Sequence, residues 1–173
     1  MQKALHKITD GLERVQIVVG CIMFVIFLVA VVIQVGSRIM KISLPWTTEV
    51  ATYSFIWTVY NAAAVMFKRN EHFKFTIIED KIKGQAHEIY DILINIVICI
   101  FCILTAYYGI QLVQRFWTYH WNTLPFMRNG YHWLCVPIMG GSMAIYAIEH
   151  IIDSVFNIQN KTYRVPVEEK GGE

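Results

Sequence analysis

Few residues in this sequence have the type and spacing to do chemistry. Cys99 and Cys102 form a C-x-x-C pair, a spacing that supports thiol–disulfide exchange where water and a partner thiol can reach it. Six histidines, His6, His72, His87, His120, His132 and His150, would suit haem if two of them met on facing helices at one depth. Gln34, Asn61, Asn95 and Gln111 are long polar side chains inside otherwise apolar runs. Each group has a plainer reading. The two cysteines lie mid-run with no neighbouring cation to favour a thiolate, which makes them small buried apolar residues; a membrane thiol-redox protein is the alternative. Every histidine falls in a connection or at the end of a run, so no pair meets within one. The amides serve interhelical hydrogen bonds of about 1 kcal/mol or less, with ion coordination by Asn61 and Asn95 the less economical reading. No nucleophile triad, phosphate-binding loop or metal-ligand spacing is present, so neither enzymatic activity nor a cofactor is expected.

The elements that must position these residues are four apolar runs, spanning about 15–37, 47–67, 90–114 and 129–148. The chain has 173 residues, 55% of them hydrophobic and only 16% charged, where an ordinary soluble domain is about a quarter charged. That composition excludes a disordered chain. With 15 Lys and Arg against 13 Asp and Glu there is no basic stripe, which excludes nucleic acid as a partner. Roughly 20 helical residues cross a ~30 Å hydrocarbon layer, so each run fits one crossing. A soluble bundle would need a polar stripe along each helix, and these runs have almost none. The first run follows a charged start but is too long for a secretory signal, and no small-x-small cleavage site follows it. The sequence predicts an all-α integral membrane protein with four transmembrane helices in one membrane domain, 1–152, followed by a polar tail, 153–173, that frays.

The runs are electrically quiet. No Asp, Glu, Lys or Arg lies deep in any of them, and His132 sits at the edge of the fourth. Intramembrane charges are costly and mark ion paths and proton relays where they occur, so this chain lacks what a proton-coupled exporter or a voltage sensor needs. Transporter sites also favour interrupted helices. Only the fourth run holds a proline, Pro137, and Gly140, Ala144 and Ala147 follow at helical spacing. That pattern predicts a kink and a face that another helix can approach closely, in preference to a substrate site.

Lys and Arg set the orientation. They gather in the N-terminal segment (Lys3, Lys7, Arg14), the second connection (Lys68, Arg69, Lys74, Lys81, Lys83) and the tail (Lys161, Arg164, Lys170). The first and third connections carry only Arg38, Lys41, Arg115 and Arg128. The positive-inside rule therefore places both termini and the second connection in the cytoplasm. Trp46, Trp117, Trp121 and Trp133 then fall near the outer interface, where indole is favoured. In the second connection, Phe73, Phe75, Ile77, Ile78 and Ile82 are interleaved with charges. This predicts a cytoplasmic interfacial helix between helices two and three, with an ordinary polar connection as the alternative. Helix three should begin near Gln85. The aromatic third connection, 115–128, reads as an interface belt, or as a docking surface for a partner outside the membrane.

One arrangement is more specific. Arg38 closes the first run; Leu44-Pro45-Trp46-Thr47-Thr48-Glu49 opens the second, which holds Trp57 and the Ala62–Ala64 run; Arg69-Asn70-Glu71-His72 follows it. Over about residues 10–150 this resembles the DctQ/SiaQ-like family, the small membrane subunit of TRAP transporters. The chain departs from that family in having one acid rather than two after the tryptophan, and alanines where a glycine is common late in helix two. The resemblance implies a non-catalytic subunit of the bacterial inner membrane, packed against a large (M-type) membrane subunit that holds Na⁺ and substrate. A periplasmic (P-type) binding protein would deliver an organic acid of the sialic acid or C4-dicarboxylate class, and membrane lipid would surround the complex. Within this frame Arg38 and Glu49, at adjoining helix ends, are expected to pair directly or through a small polar network, with two solvated charges as the alternative. Trp46 would anchor at the interface and Trp57 would pack. Arg69 and His72 would hold the inner end of helix two against headgroups or the interfacial helix. A thiol-redox protein and a self-sufficient carrier are the other classes.

Overall fold

Hydrocarbon offers a backbone N–H or C=O no partner, so an apolar run must close its hydrogen bonds within itself. The computed structural model describes residues 2–69 and 85–160, and they are helical almost throughout. The helices are α1 (Gln2–Ile39), α2 (Trp46–Lys68), α3 (Gln85–Phe116), α4 (Asn129–Trp133) and α5 (Cys135–Asn160). Among the described residues four helical stretches are long and apolar enough to cross a membrane, with α4 and α5 together making the fourth. The segment carrying His72 and the expected interfacial helix lies outside the described residues.

The longer helices outrun the hydrocarbon, α3 among them with 32 residues. With 38 residues, α1 is roughly 57 Å long at 1.5 Å per residue, nearly twice the ~30 Å layer. At the same end of the bundle α5 continues to Asn160, through the stretch that the sequence assigns to a fraying tail, and Ser154 there is buried. We call this the near end and the opposite one, with Arg38 and the 117–128 connection, the far end.

The fourth span carries the one interruption. The kink expected at Pro137 appears as a break between α4 and α5 at Leu134. Proline has no N–H, so the carbonyl of Trp133, four residues earlier, loses its helical donor. Leu134 still donates to Gly130 O (3.2 Å) and accepts from Ile138 N (3.3 Å), so the span bends without coming apart.

The helices pack as an open row rather than a closed bundle. α3 lies along α5, α5 against α2, and α2 along α1, while α1 reaches α5 at the near end. The edge helices are therefore the least covered: 11% of the apolar window of α1 and 17% of that of α3 are buried, against 33% for α2 and 44% for the fourth span. Along α1 the half-buried and buried positions recur as His6, Thr9, Glu13, Gln16, Gly20, Met23, Phe27, Ala30 and Gln34. This alternating three-four spacing keeps one seam facing its neighbours. The seam is polar at both ends and apolar or small between.

The α3–α5 contact depends on small residues. A Cβ on Gly140 would sit 2.8 Å from Ala106 N and 2.9 Å from Cys102 O, and one on Gly109 would meet the Pro137 ring at 3.0 Å. Ala144 follows one turn later, with its carbonyl 4.0 Å from Cys99 Sγ. Because the obstacle at Gly140 is backbone, no rotamer change relieves it. Gly140→Ala is expected to push α3 and α5 apart and cost about 1–3 kcal/mol. Gly141→Ala, where nothing lies within 4 Å, should cost nothing. Thermal unfolding of both variants in one detergent checks this, and equal midpoints would contradict it.

Candidate functional site

Several polar side chains inside the spans are spent locally. Asn61 Nδ2 donates to Trp57 O (2.8 Å), Asn95 Nδ2 to Asp91 O (2.8 Å), Ser54 to Val50 O (2.6 Å) and Thr105 to Phe101 O (2.9 Å). Each of these bonds closes one turn back on its own helix, where the sequence reading expects interhelical bonds; Gln34 does make one, to Thr48 of α2. Asn61 and Asn95 thus share no partner. Cys102 is buried and Cys99 half-buried against α5, and no group of three potential metal ligands occurs among the described residues. What remains for specific recognition is at the two ends.

At the far end the organiser is Glu49. Pro45 precedes α2, with φ −64° suited to a helix start and no N–H to waste. Glu49 then falls in the first helical turn, where an acid suits the helix dipole. Its Oε1 accepts from Asn122 N (3.0 Å), while Oε2 accepts from Thr123 N (3.0 Å) and from the Thr123 hydroxyl. One turn along α2, the ring of Tyr53 meets Trp121 edge-on at 4.4 Å and His132 at 4.1 Å, and its hydroxyl lies 3.4 Å from Asn129 Oδ1.

These contacts hold a compact hairpin. Trp121 N bonds Met127 O (3.0 Å), Asn129 N bonds Tyr119 O (2.8 Å), and Met127 N closes a turn on Leu124 O (2.9 Å). Pro125 follows Leu124 at the turn position that its fixed φ favours. The hairpin exposes Tyr119, Phe126 and Met127, and Arg128 stacks on Trp117.

The expected Arg38–Glu49 pair is absent. Arg38 is on the exposed side of the last turn of α1, and the Glu49 carboxylate is turned away to two converging backbone N–H groups and a hydroxyl. α1 is tied to α2 here by Gln34 Nε2 donating to Thr48 Oγ1 (3.0 Å). Trp46 opens α2 half-buried at this end, and Trp57 is half-buried further along α2.

At the near end three helices are joined by charge. Lys68 Nζ contacts Asp10 and lies 3.0 Å from Glu13 Oε2. Arg69 Nε donates to Glu13 Oε1 at 2.7 Å, so Arg69 engages α1, a partner the sequence reading did not assign. Lys68 also lies 5.8 Å from the centre of the Tyr146 ring. The Tyr146 hydroxyl donates to Gln16 Oε1 (2.7 Å), and Gln16 Nε2 donates to Ser142 Oγ (2.7 Å). His6 reaches Glu149 and Asp153 on α5, and Thr9 Oγ1 donates to Glu149 Oε1 at 2.8 Å.

Sequence reasoning missed all of the α1 members of this network. The available signal was the placement of His6, Thr9, Glu13 and Gln16 at the three-four spacing of the seam. Solvated polar residues would not keep to one face in this way.

Residues 23–157 match the family model described as tripartite ATP-independent periplasmic transporters, DctQ component. The matched region contains the Glu49 clamp, the hairpin and the α5 acids, and stops short of the α1 residues that meet them. No curated protein matches the sequence significantly.

The exposed face of Asn122 tempers the value of the clamp, since water can replace a lost acceptor there. Glu49→Ala is expected to cost about 1–2 kcal/mol and to raise proteolytic nicking between Tyr119 and Met127. With no ion pair to exchange, the double variant Arg38→Glu with Glu49→Arg should be no more stable than Glu49→Arg alone. Recovery of stability in the double variant would show that the two charges do pair.

Proposed function

We propose that this chain, which belongs to the DctQ family and is the small membrane subunit of a tripartite ATP-independent periplasmic transporter, braces the large membrane subunit and helps seat the periplasmic binding protein. The observation that carries the reading is the distribution of charge. No charged side chain lies between Arg14 and Arg38, between Glu49 and Lys68, between Asp91 and Arg115, or between Arg128 and Glu149. A conduit for an ion and an organic anion needs polar groups at mid-depth, often at broken helix ends. Here the one break is next to His132, at the far end.

In this reading Na⁺ and an organic acid, of the sialic acid or C4-dicarboxylate class, are bound by the large subunit. The near end faces the cytoplasm and the hairpin faces the periplasm, as the Lys and Arg distribution favours. The uncovered apolar edges of the row, α1 with Val18, Ile22, Val25 and Val29 and α3 with Leu93, Val97, Ile100 and Leu104, give the large subunit and lipid something to pack on. The hairpin, stiffened by Glu49 and Tyr53, offers the binding protein a preformed surface, which lowers the ordering cost of docking.

Co-expression with the large subunit tests this. A tagged chain should retain that subunit through purification in mild detergent. Cells lacking the chain should lose uptake of the organic acid while still making the large subunit. A chain that purifies alone beside abundant large subunit, with uptake unchanged by its deletion, would contradict the proposal.

A further inference from the structure

The two edge helices of the row turn different chemistry outward. On α1 the exposed stripe runs Lys7, Arg14, Val18, Ile22, Val25 and Val29. Charge stands at the near end, and aliphatic side chains follow through the apolar run. On α3 the exposed stripe runs Ile89, Leu93, Ile96, Ile100, Tyr107 and Gln111. Each set keeps to the spacing of a single helix face, but the order of polarity along α3 is the reverse of that along α1.

Contacts across the row fix the relative depth of these stripes. His6 meets Glu149 and Asp153, Gln16 meets Ser142, and Glu88 meets Asn157. Arg14 therefore stands level with the part of α5 between Ser142 and Glu149, and Ile89, Ile152, Val155 and Phe156 all lie on the near side of that level. Lys7, Asp10 and Arg14 are exposed, and exposed charges belong in water or among headgroups, so the hydrocarbon ends at about Arg14. Beyond it Ile89 is 56% exposed and Phe156 49%. These apolar groups face outward where lipid tails no longer reach. The opposite mismatch occurs toward the far end. Gln111 lies within the apolar run, roughly 6 Å short of Arg115 at 1.5 Å per residue. It is exposed, and its amide has no hydrogen-bond partner among the described residues. Tyr107, one turn deeper, is exposed as well. Lipid tails offer neither group a partner. On α1 no comparable side chain occurs between Ile17 and Ile33.

We propose that the outward side of the α3–α5 pair docks the large membrane subunit and that α1 faces lipid, an assignment that rests on the transporter reading and supplies the face it leaves open. Lipid and water give the α1 stripe what it needs at every depth. They give the α3 stripe the wrong surroundings at both ends. A protein partner differs from lipid in one respect that matters here. It can present hydrogen-bonding groups within the bilayer and apolar groups beyond it on one continuous surface. α5, packed along α3, adds Ile152, Val155 and Phe156 to the apolar part.

Photocrosslinking in membranes that hold the complete transporter tests the face. A benzoylphenylalanine in place of Ile89, Tyr107 or Phe156 should form an adduct with the large subunit, and one in place of Val18 or Val25 should not. The double variant Ile89→Ser with Phe156→Ser should lower the large subunit retained on a tagged chain roughly tenfold, the loss expected for two interface anchors, with the chain's own thermal midpoint unchanged. Adducts with the large subunit from Val18 or Val25 would overturn the assignment. So would adducts from Ile89 and Phe156 that form only within the chain, full retention in the double variant, or co-purification of the large subunit without any adduct from α3 or α5. A large subunit that neither crosslinks at any of the five positions nor co-purifies would overturn the transporter reading, and the docking face with it.

Discussion

From Ile17 to Ile33, α1 has no side chain able to make a strong hydrogen bond, and Asn61 and Asn95 of the other spans turn back onto their own helices. A polar group in hydrocarbon must find its partner within the protein or stay unsatisfied at a cost of several kcal/mol. Lipid tails are as apolar as leucine, so burial between helices gains little that lipid contact would not give. Register and neighbour choice must then come from close packing and from the few polar contacts available. In this chain close packing sets α3 on α5, through Gly140, Gly109 and the alanines. Polar contacts at the two ends set α1 on α2 and α5, and the hairpin on α2.

The two ends differ in kind. The far end is organised by one carboxylate that accepts backbone and hydroxyl donors, an arrangement that fixes a loop without needing a cation. The near end is organised by charge pairs that draw α1, α2 and α5 together. Of its pairs, the contact of Lys68 with Glu13 is the more sheltered, with side chains 9% and 16% exposed, whereas Asp10 is 60% exposed. Exposed pairs contribute little and are screened by salt, so the sheltered ones carry most of the specificity. The row between the ends leaves α1 and α3 largely uncovered.

The four crossings were legible because each is a near-continuous apolar run, and the family was legible in the stretch from Arg38 to His72. The start of α3 was legible because Ile89, Leu93 and Ile96 continue a helical spacing. The long-range contacts were not. His6 and Glu149, or Glu13 and Arg69, lie on different helices far apart in sequence, and a single sequence carries no signal that joins them. The end of α5 was misjudged because Asp153 and the polar residues after it look solvated, yet Ser154 is buried and Asp153 faces His6 across the helix junction. The Glu49 partner was misjudged for a related reason. Arg38 was the nearest opposite charge by helix-end reasoning, but a carboxylate is equally well served by backbone N–H groups, and the third connection brings two of them.

On the proposed reading the spans form a brace without a path, and ion flux through the chain by itself is the most direct measurement. Purified chain reconstituted into sealed liposomes, under an imposed gradient of sodium or protons, should leak tracer sodium and acidify at the rate of protein-free vesicles. A saturable flux that rises with the amount of chain in the bilayer would contradict the account.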